Sequence, residues 1–247
     1  MSTIYILWLR QLKRYLRSKS RIVGSLGQPA LFLVALGFGF GPIFQKAGGG
    51  NYINFLAPGV ISQGILFTAI FSGIELIWDR QFGFLKETLV APVSRIEIMI
   101  GRTLGGATIA TFQGIIVLVL TLVIGFRPNL LYLPLVIFIM FLVALLFTAL
   151  GTAIASFLED FQGFQLIMNF LVMPLFFLSG ALFPLSIAPF FIKIISEVDP
   201  LTYGVDGLRG ALISVSQFGV ATDIAVLGVL TIIILSIGGY LFSKIQI

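Results

Sequence analysis

An all-α membrane protein with six transmembrane helices, an N-terminal interfacial amphipathic helix and short re-entrant helices before the last span is the fold class this sequence predicts. Three observations point there. Hydrophobic residues make up 58% of the 247 and charged residues only 10%, against roughly half and a quarter in soluble domains. The apolar residues run continuously, as from Ile115 to Ile124 and from Leu133 to Leu150, whereas strands of a membrane barrel alternate apolar and polar over about ten residues. Backbone N–H and C=O groups in hydrocarbon must be satisfied within the segment or a closed barrel, so a chain without alternation is left with helices.

The first element is basic and amphipathic. At 100° per residue Ile4, Tyr5, Trp8, Leu9, Leu12, Tyr15 and Leu16 share one sector, while Arg10, Lys13, Arg14 and Arg17 fill another; Ile6 and Leu7 are exceptions. Such a helix lies in the headgroup plane with its cations on anionic lipid. It lacks the compact layout and cleavage site of a signal peptide and is expected to be retained.

Six windows reach the roughly 20 apolar residues needed to span a bilayer. They are 24–45, 53–77, 96–126, 130–157, 161–182 and 221–243. Tight turns are expected near Arg127 and Pro128 and at Glu159 and Asp160, while 78–95 and 183–220 are long enough to hold structure. With the N-terminus inside, the cytoplasmic face receives Arg10, Lys13, Arg14, Arg17, Lys19, Arg21, Arg80, Lys86, Arg95, Arg102 and Lys244, and the outer face only Lys46, Arg127, Lys193 and Arg209. Because Lys and Arg are retained on the cytoplasmic side, both termini are expected there. The net charge of +5 is accordingly a topology signal, and no nucleic-acid partner is expected.

The loop WDRQFGFLKETLVAPVSRIE is the most informative connection. Trp78, Phe82, Leu85 and Leu89 are spaced to share one helical face, with Asp79, Arg80, Lys86 and Glu87 turned elsewhere. Pro92 ends that helix, and Ser94 with Glu97 forms a capping-box pattern for the third span. A short amphipathic helix joined stiffly to two spans can transmit motion from a partner; a solvated loop with one good cap is the plainer alternative.

On the fifth span Gln162, Gln165, Asn169, Met173, Phe176 and Gly180 fall on one face. Polar side chains in lipid point to a bundle interior or cavity, so Gln162, Gln165 and Asn169 are candidates for a translocation path or for interhelical hydrogen bonding. Gly37, Gly39 and Gly41, and the GxxxG pair Gly101 and Gly105, offer surfaces for close helix approach. In 183–220, Asp199 before Pro200 has the form of an N-cap and first helical residue. Phe190, Phe191, Ile194 and Ile195 are too apolar for an exposed loop, which suits helices dipping back into the outer leaflet.

Absences narrow the chemistry. The sequence has no Cys and no His, which removes disulfides, thiolate nucleophiles, Ser-His-Asp catalysis and zinc sites built on those residues. No Lys follows a Gly, so the phosphate-binding P-loop signature is missing and the chain is not expected to hydrolyse ATP by that means. An intramembrane aspartyl hydrolase needs two carboxylates facing each other within spans, and Asp199, Asp206 and Asp223 fall in or beside the outer segment.

The six spans, the basic amphipathic start, FLKETLVAPVSR, FFLSGALFP and DPLTYGVDGLRG together resemble, over essentially the full chain, the permease subunit of type 2 ABC transporters, in particular the daunorubicin-resistance-like drug and lipid exporters. The resemblance implies one permease domain over 1–247, in the plasma membrane, working as a dimer, with ATP and Mg bound by a separate ABC-type ATP-binding subunit and no cofactor in this chain. It implies an ATPase-coupling loop at Asp79, Arg80, Phe82, Gly83, Leu85, Lys86, Glu87, Thr88, Leu89, Pro92, Ser94 and Arg95. Gln81 departs from the acidic residue usual after the loop's arginine. The function implied is outward movement of an amphipathic drug or lipid, lipid-linked glycan being the alternative within the family. A stand-alone ion-coupled carrier or channel is the alternative outside it, but that needs an ionisable residue near mid-membrane, and Glu75 and Asp79 sit at an edge.

Overall fold

The computed structural model describes residues 3–46, 50–90, 93–158 and 160–244, without the side chains of Arg21, Lys86, Glu87 and Leu89. Pro92 and Glu159, assigned above to a helix stop and a turn, lie outside the described residues. Among those described there is no strand, and six helical stretches are long and apolar enough to cross a membrane: Ile22–Lys46, Tyr52–Gln81, Arg95–Val123, Leu130–Phe157, Phe161–Leu178 and Val220–Ser243. The chain is an all-α membrane protein.

The helices are α1 (Thr3–Arg17), α2 (Lys19–Lys46), α3 (Tyr52–Phe71), α4 (Ile74–Gln81), α5 (Phe84–Val90), α6 (Arg95–Val123), α7 (Leu133–Phe157), α8 (Phe161–Ile167), α9 (Met173–Leu178), α10 (Phe190–Val198), α11 (Pro200–Ile213) and α12 (Val220–Ser243). The second span, made of α3 and α4, is the centre, 78% buried against 17% for the first and last spans and 22% for the fifth. Around it pack α6, α7, α2 and α11, and α12 lies on α7. Where α3 passes into α4 the backbone runs against α7 without room for side chains: a Cβ on Gly73 would meet the Gly151 carbonyl oxygen at 2.4 Å. This contact needs two glycines, as close helix crossings in membranes do.

Four expectations change. The helix expected around 79–91 is broken: α4 continues the second span to Gln81, Gly83 turns the chain at φ +81°, and α5 starts afresh. A left-handed backbone is costly for other residues and free for glycine. Trp78, Phe82 and Leu85 therefore do not form one stripe, Leu85 being buried while Phe82 is exposed, and the side chain of Leu89 lies outside the described ones. In α1 the residues buried are Leu7, an exception on the wheel, and Tyr15, because the helix seats on α6 by the flank of its apolar sector. Tyr5 and Leu16 remain outward, as lipid contact requires. Ser94 takes the N-cap position of α6 but its side chain makes no cap hydrogen bond. Finally, Gly37 approaches Ile53, but among the described residues a Cβ on Gly39 or Gly41 would meet nothing within 4 Å, so that run makes no continuous helix contact with them.

The GxxxG pair finds its partner inside the chain. A Cβ on Gly101 would lie 3.0 Å from the Ile4 carbonyl oxygen and from Leu7, and one on Gly105 would lie 2.7 Å from the Gln11 side chain. The two glycines form the groove in which α1 rests. Trp8 Nε1 donates to Thr108 Oγ1 at 3.0 Å, and Tyr15 donates its hydroxyl to Gln113 Oε1 at 3.1 Å, closing the seat at both ends.

Candidate functional site

The α1 seat brings charge to the start of the candidate coupling loop. Glu75 and Asp79 are one helical turn apart on α4, Arg10 and Arg14 one turn apart on α1, and Arg102 sits one turn above Ile98 on α6. Arg102 donates a short hydrogen bond to Asp79, Arg10 approaches Asp79 at 3.7 Å, and Arg14 lies 3.8 Å from Glu75 and 3.9 Å from Asp79. Arg102, Asp79 and Glu75 are buried, whereas the two α1 arginines are partly exposed. Buried charges persist only when paired. This cluster is therefore the reason the end of α4 can lie inside the bundle.

Arg80 is spent on another neighbour. Its guanidinium donates to the carbonyls of Leu158 at 2.9 Å and Ser156 at 3.1 Å, the last turn of α7 and the residue beyond. A cation there satisfies orphan carbonyls and complements the helix dipole. Arg95 similarly donates to the Ser243 carbonyl at 2.6 Å, tying the start of α6 to the end of α12. Asp79 and Arg80 thus anchor the loop rather than face outward.

Beyond the anchor the loop is presented. Phe82 is 73% exposed, Phe84 and Val90 are also exposed, and Leu85 points inward to hold α5 down. Thr88 returns its hydroxyl to the Phe84 carbonyl within α5. The arrangement is a short helix with a fixed root and an apolar tip.

At the opposite end, α11 is held by backbone groups. Arg209 donates to the Gly180 carbonyl at 3.1 Å and lies 4.1 Å over the Phe55 ring; burial lowers its pKa to about 10, against the pull of Asp206, and it stays charged at neutral pH. Asp206 accepts from the Ser216 hydroxyl and from the Gln217 and Phe218 N–H groups, each at 2.9 Å. Asp199 caps α11 by accepting from Leu201 N–H at 2.8 Å, and Pro200 is the first helical residue. Burial pushes the Asp199 carboxyl up to about 7, the Leu201 hydrogen bond pulling it part of the way back.

The fifth span is not one regular helix. Between α8 and α9, Met168–Val172 form a π-helical turn, a rare feature that is frequent at functional sites. The buried face is Phe164, Met168, Val172 and Phe176, all apolar. Gln162 and Asn169 are exposed on the side away from the chain's own core, and Gln165 is half-buried. Phe176 shares the wheel sector of the polar residues but belongs to the core, since a π turn rotates everything after it.

The ABC-2 type transporter family model matches residues 2–213. The chain belongs to that family. This permease is 29% identical over 214 residues to "Putative transport permease ycf38" of Cyanophora paradoxa, covering 83% of this chain and 72% of the relative. It is 26% identical over 224 residues to "Nodulation protein J" of Sinorhizobium fredii, covering 88% and 84%. A further match, 26% over 224 residues, is to "Inner membrane transport permease YadH" of Escherichia coli strain K12, covering 90% and 87%.

For the ABC-2 permease, sequence reasoning missed the charge cluster although its signal was present. Glu75 with Asp79, and Arg10 with Arg14, are each four apart, and Arg102 is a cation two turns inside an apolar helix. Opposite charges at i, i+4 on separate helices, next to a GxxxG, are a docking signature once the two helices are known to touch.

Proposed function

We propose that the chain is the membrane-spanning half of an ATP-driven exporter that moves an amphipathic drug or lipid outward, with ATP and Mg bound by a separate ABC-type subunit. Two copies form the working permease in the plasma membrane, both termini and residues 78–95 face the cytoplasm, and α5 is the contact with the ATPase. The observation that carries this reading is the contrast between the loop's two halves. Asp79 and Arg80 are tied into α1, α6 and α7, while Phe82 and Phe84 project from the bundle next door. An apolar tip fits a groove on a partner, and a charged, buried root carries the partner's displacement to three helices at once.

The test is copurification and cargo-stimulated ATP hydrolysis with Phe82→Asp and Phe84→Asp. Each should lose both by about tenfold while membrane insertion and folding survive, since neither side chain is buried. Retention of both activities would set α5 aside as the coupling element. Cysteines at Phe84 and Lys193 should label from opposite sides of sealed cells. Gln162, Gln165 and Asn169 are assigned to the translocation path, facing the second copy across it. Asn169→Leu should change which compounds are exported, and an unchanged spectrum would favour plain helix packing.

A further inference from the structure

Between the end of α1, the first turns of α2 and the second half of α3 lies a cavity of about 380 Å³ that neither the coupling loop nor the fifth span uses. Its walls are chiefly apolar, with Phe67 and Phe71 stacked one turn apart on α3 at 6.3 Å between centroids. Of its polar side chains, the Tyr15 hydroxyl donates to Gln113 and the Ser25 hydroxyl to the Ile22 carbonyl, Gln28 is exposed and Thr68 half-buried. Gln63 differs. Its side chain lines the cavity, is 1% exposed, and has no hydrogen-bond partner for either Oε1 or Nε2 among the described residues. A buried amide with both ends unmet is costly and calls for an explanation, and here it borders a cavity. No charged side chain is found among the described lining residues.

We propose that this cavity binds the uncharged, hydroxyl- or amide-bearing head of an amphiphile, and that Gln63 is the residue that selects it. A head carrying both a donor and an acceptor meets both ends of the amide. A phosphate or ammonium head would be desolvated there with no counter-charge. The apolar remainder lies along Phe67 and Phe71. The assignment of this occupant as cargo rests on the exporter reading; its binding does not.

The experiment uses the full chain in lipid nanodiscs without any ATPase, and two photoactivatable probes with identical acyl chains at trace mole fraction, a diacylglycerol and a phosphatidic acid. The diacylglycerol should label the peptides around residues 24–29 and 63–71, and the phosphatidic acid about tenfold less. Gln63→Leu should lower the diacylglycerol labelling about tenfold and leave the phosphatidic acid signal unchanged. Gly24→Leu fills the cavity from a position where an added Cβ meets nothing within 4 Å, so it should fold and lower labelling as much; it decides the matter if the first variant misfolds. Equal labelling by the two probes, or labelling unchanged in both variants, overturns the proposal. So does a cross-link from benzoylphenylalanine at Phe67 to a second copy, which would make the cavity a subunit contact. Failure of any ATPase to copurify would remove the exporter reading and leave these outcomes standing.

Discussion

The end of the bundle that holds α1, α4 and the start of α6 keeps its buried charges by setting them against one another, whereas at the end that holds α11 Arg209, Asp206 and Asp199 rest on backbone groups and Asp223 meets no hydrogen-bond partner among the described residues. Around Asp79 three arginines share two carboxylates at distances reaching 3.9 Å. Around Arg209 and Asp206 the partners are carbonyls, amides, a hydroxyl and one ring. Side-chain pairs can exchange partners as helices shift, while a charge caged by backbone must unfold something to move. The first arrangement suits a part that moves against its neighbours, the second a part that stays put.

The largest effect expected from that contrast is at Asp79. Asp79→Leu leaves Arg102 buried without its carboxylate and should lower stability by about 3–5 kcal/mol, read as thermal unfolding in detergent. Adding Arg102→Met should recover most of the loss, because an apolar pair of similar volume replaces a buried ion pair at little cost. Without recovery the cluster is more than a local pairing.

Next comes Asp199. Its folded pKa, about 7, lies above the usual carboxylate value, so the folded state holds a proton that the unfolded state releases. Stability from that proton is complete below about pH 4 and is lost as pH rises toward 7. Asp199→Asn keeps the cap and should flatten this slope, gaining about 4 kcal/mol over wild type above pH 7 and almost nothing at pH 4. A parallel slope in the variant would assign the pH dependence elsewhere.

Arg209→Leu strands the Gly180 carbonyl and removes the cation over Phe55, a loss of about 2–3 kcal/mol. Hydrogen exchange should accelerate across residues 179–183 and not around Asp79. Spread of the effect to the α1 end would break the separation between the two ends.

The smallest effect is expected at the α1 seat. Gly105→Val places a side chain where Gln11 already lies and should cost in the lower part of about 1–3 kcal/mol, chiefly by lifting α1 off α6. With Trp78 replaced by Phe, Trp8 is the sole tryptophan, and its emission should shift to the red as its contact with Thr108 is lost.

Several of these elements were legible from residues alone. The spans, the cap at Asp199 and the glycine pair are carried by local composition and spacing. The loop helix was misjudged because a 3.6-residue period takes no account of one residue with positive φ, and Gly83 resets the phase. The fifth span's polar face was misassigned in part for the same reason, Met168–Val172 having a wider turn. The wheel of α1 misled differently: an interfacial helix has two apolar surroundings, bundle and lipid, and periodicity does not say which residue meets which.

By itself the sequence determined that this chain is a helical membrane protein and which segments can cross, because hydrocarbon demands long apolar runs with internally bonded backbone. Only the tertiary structure decided that Arg10, Arg14, Glu75, Asp79 and Arg102 form one cluster, that Arg80 closes α7, and that Gln63 lines a cavity with its amide unmet. Those facts depend on contacts between helices distant in the chain, where a one-residue change of phase exchanges a buried side chain for an exposed one.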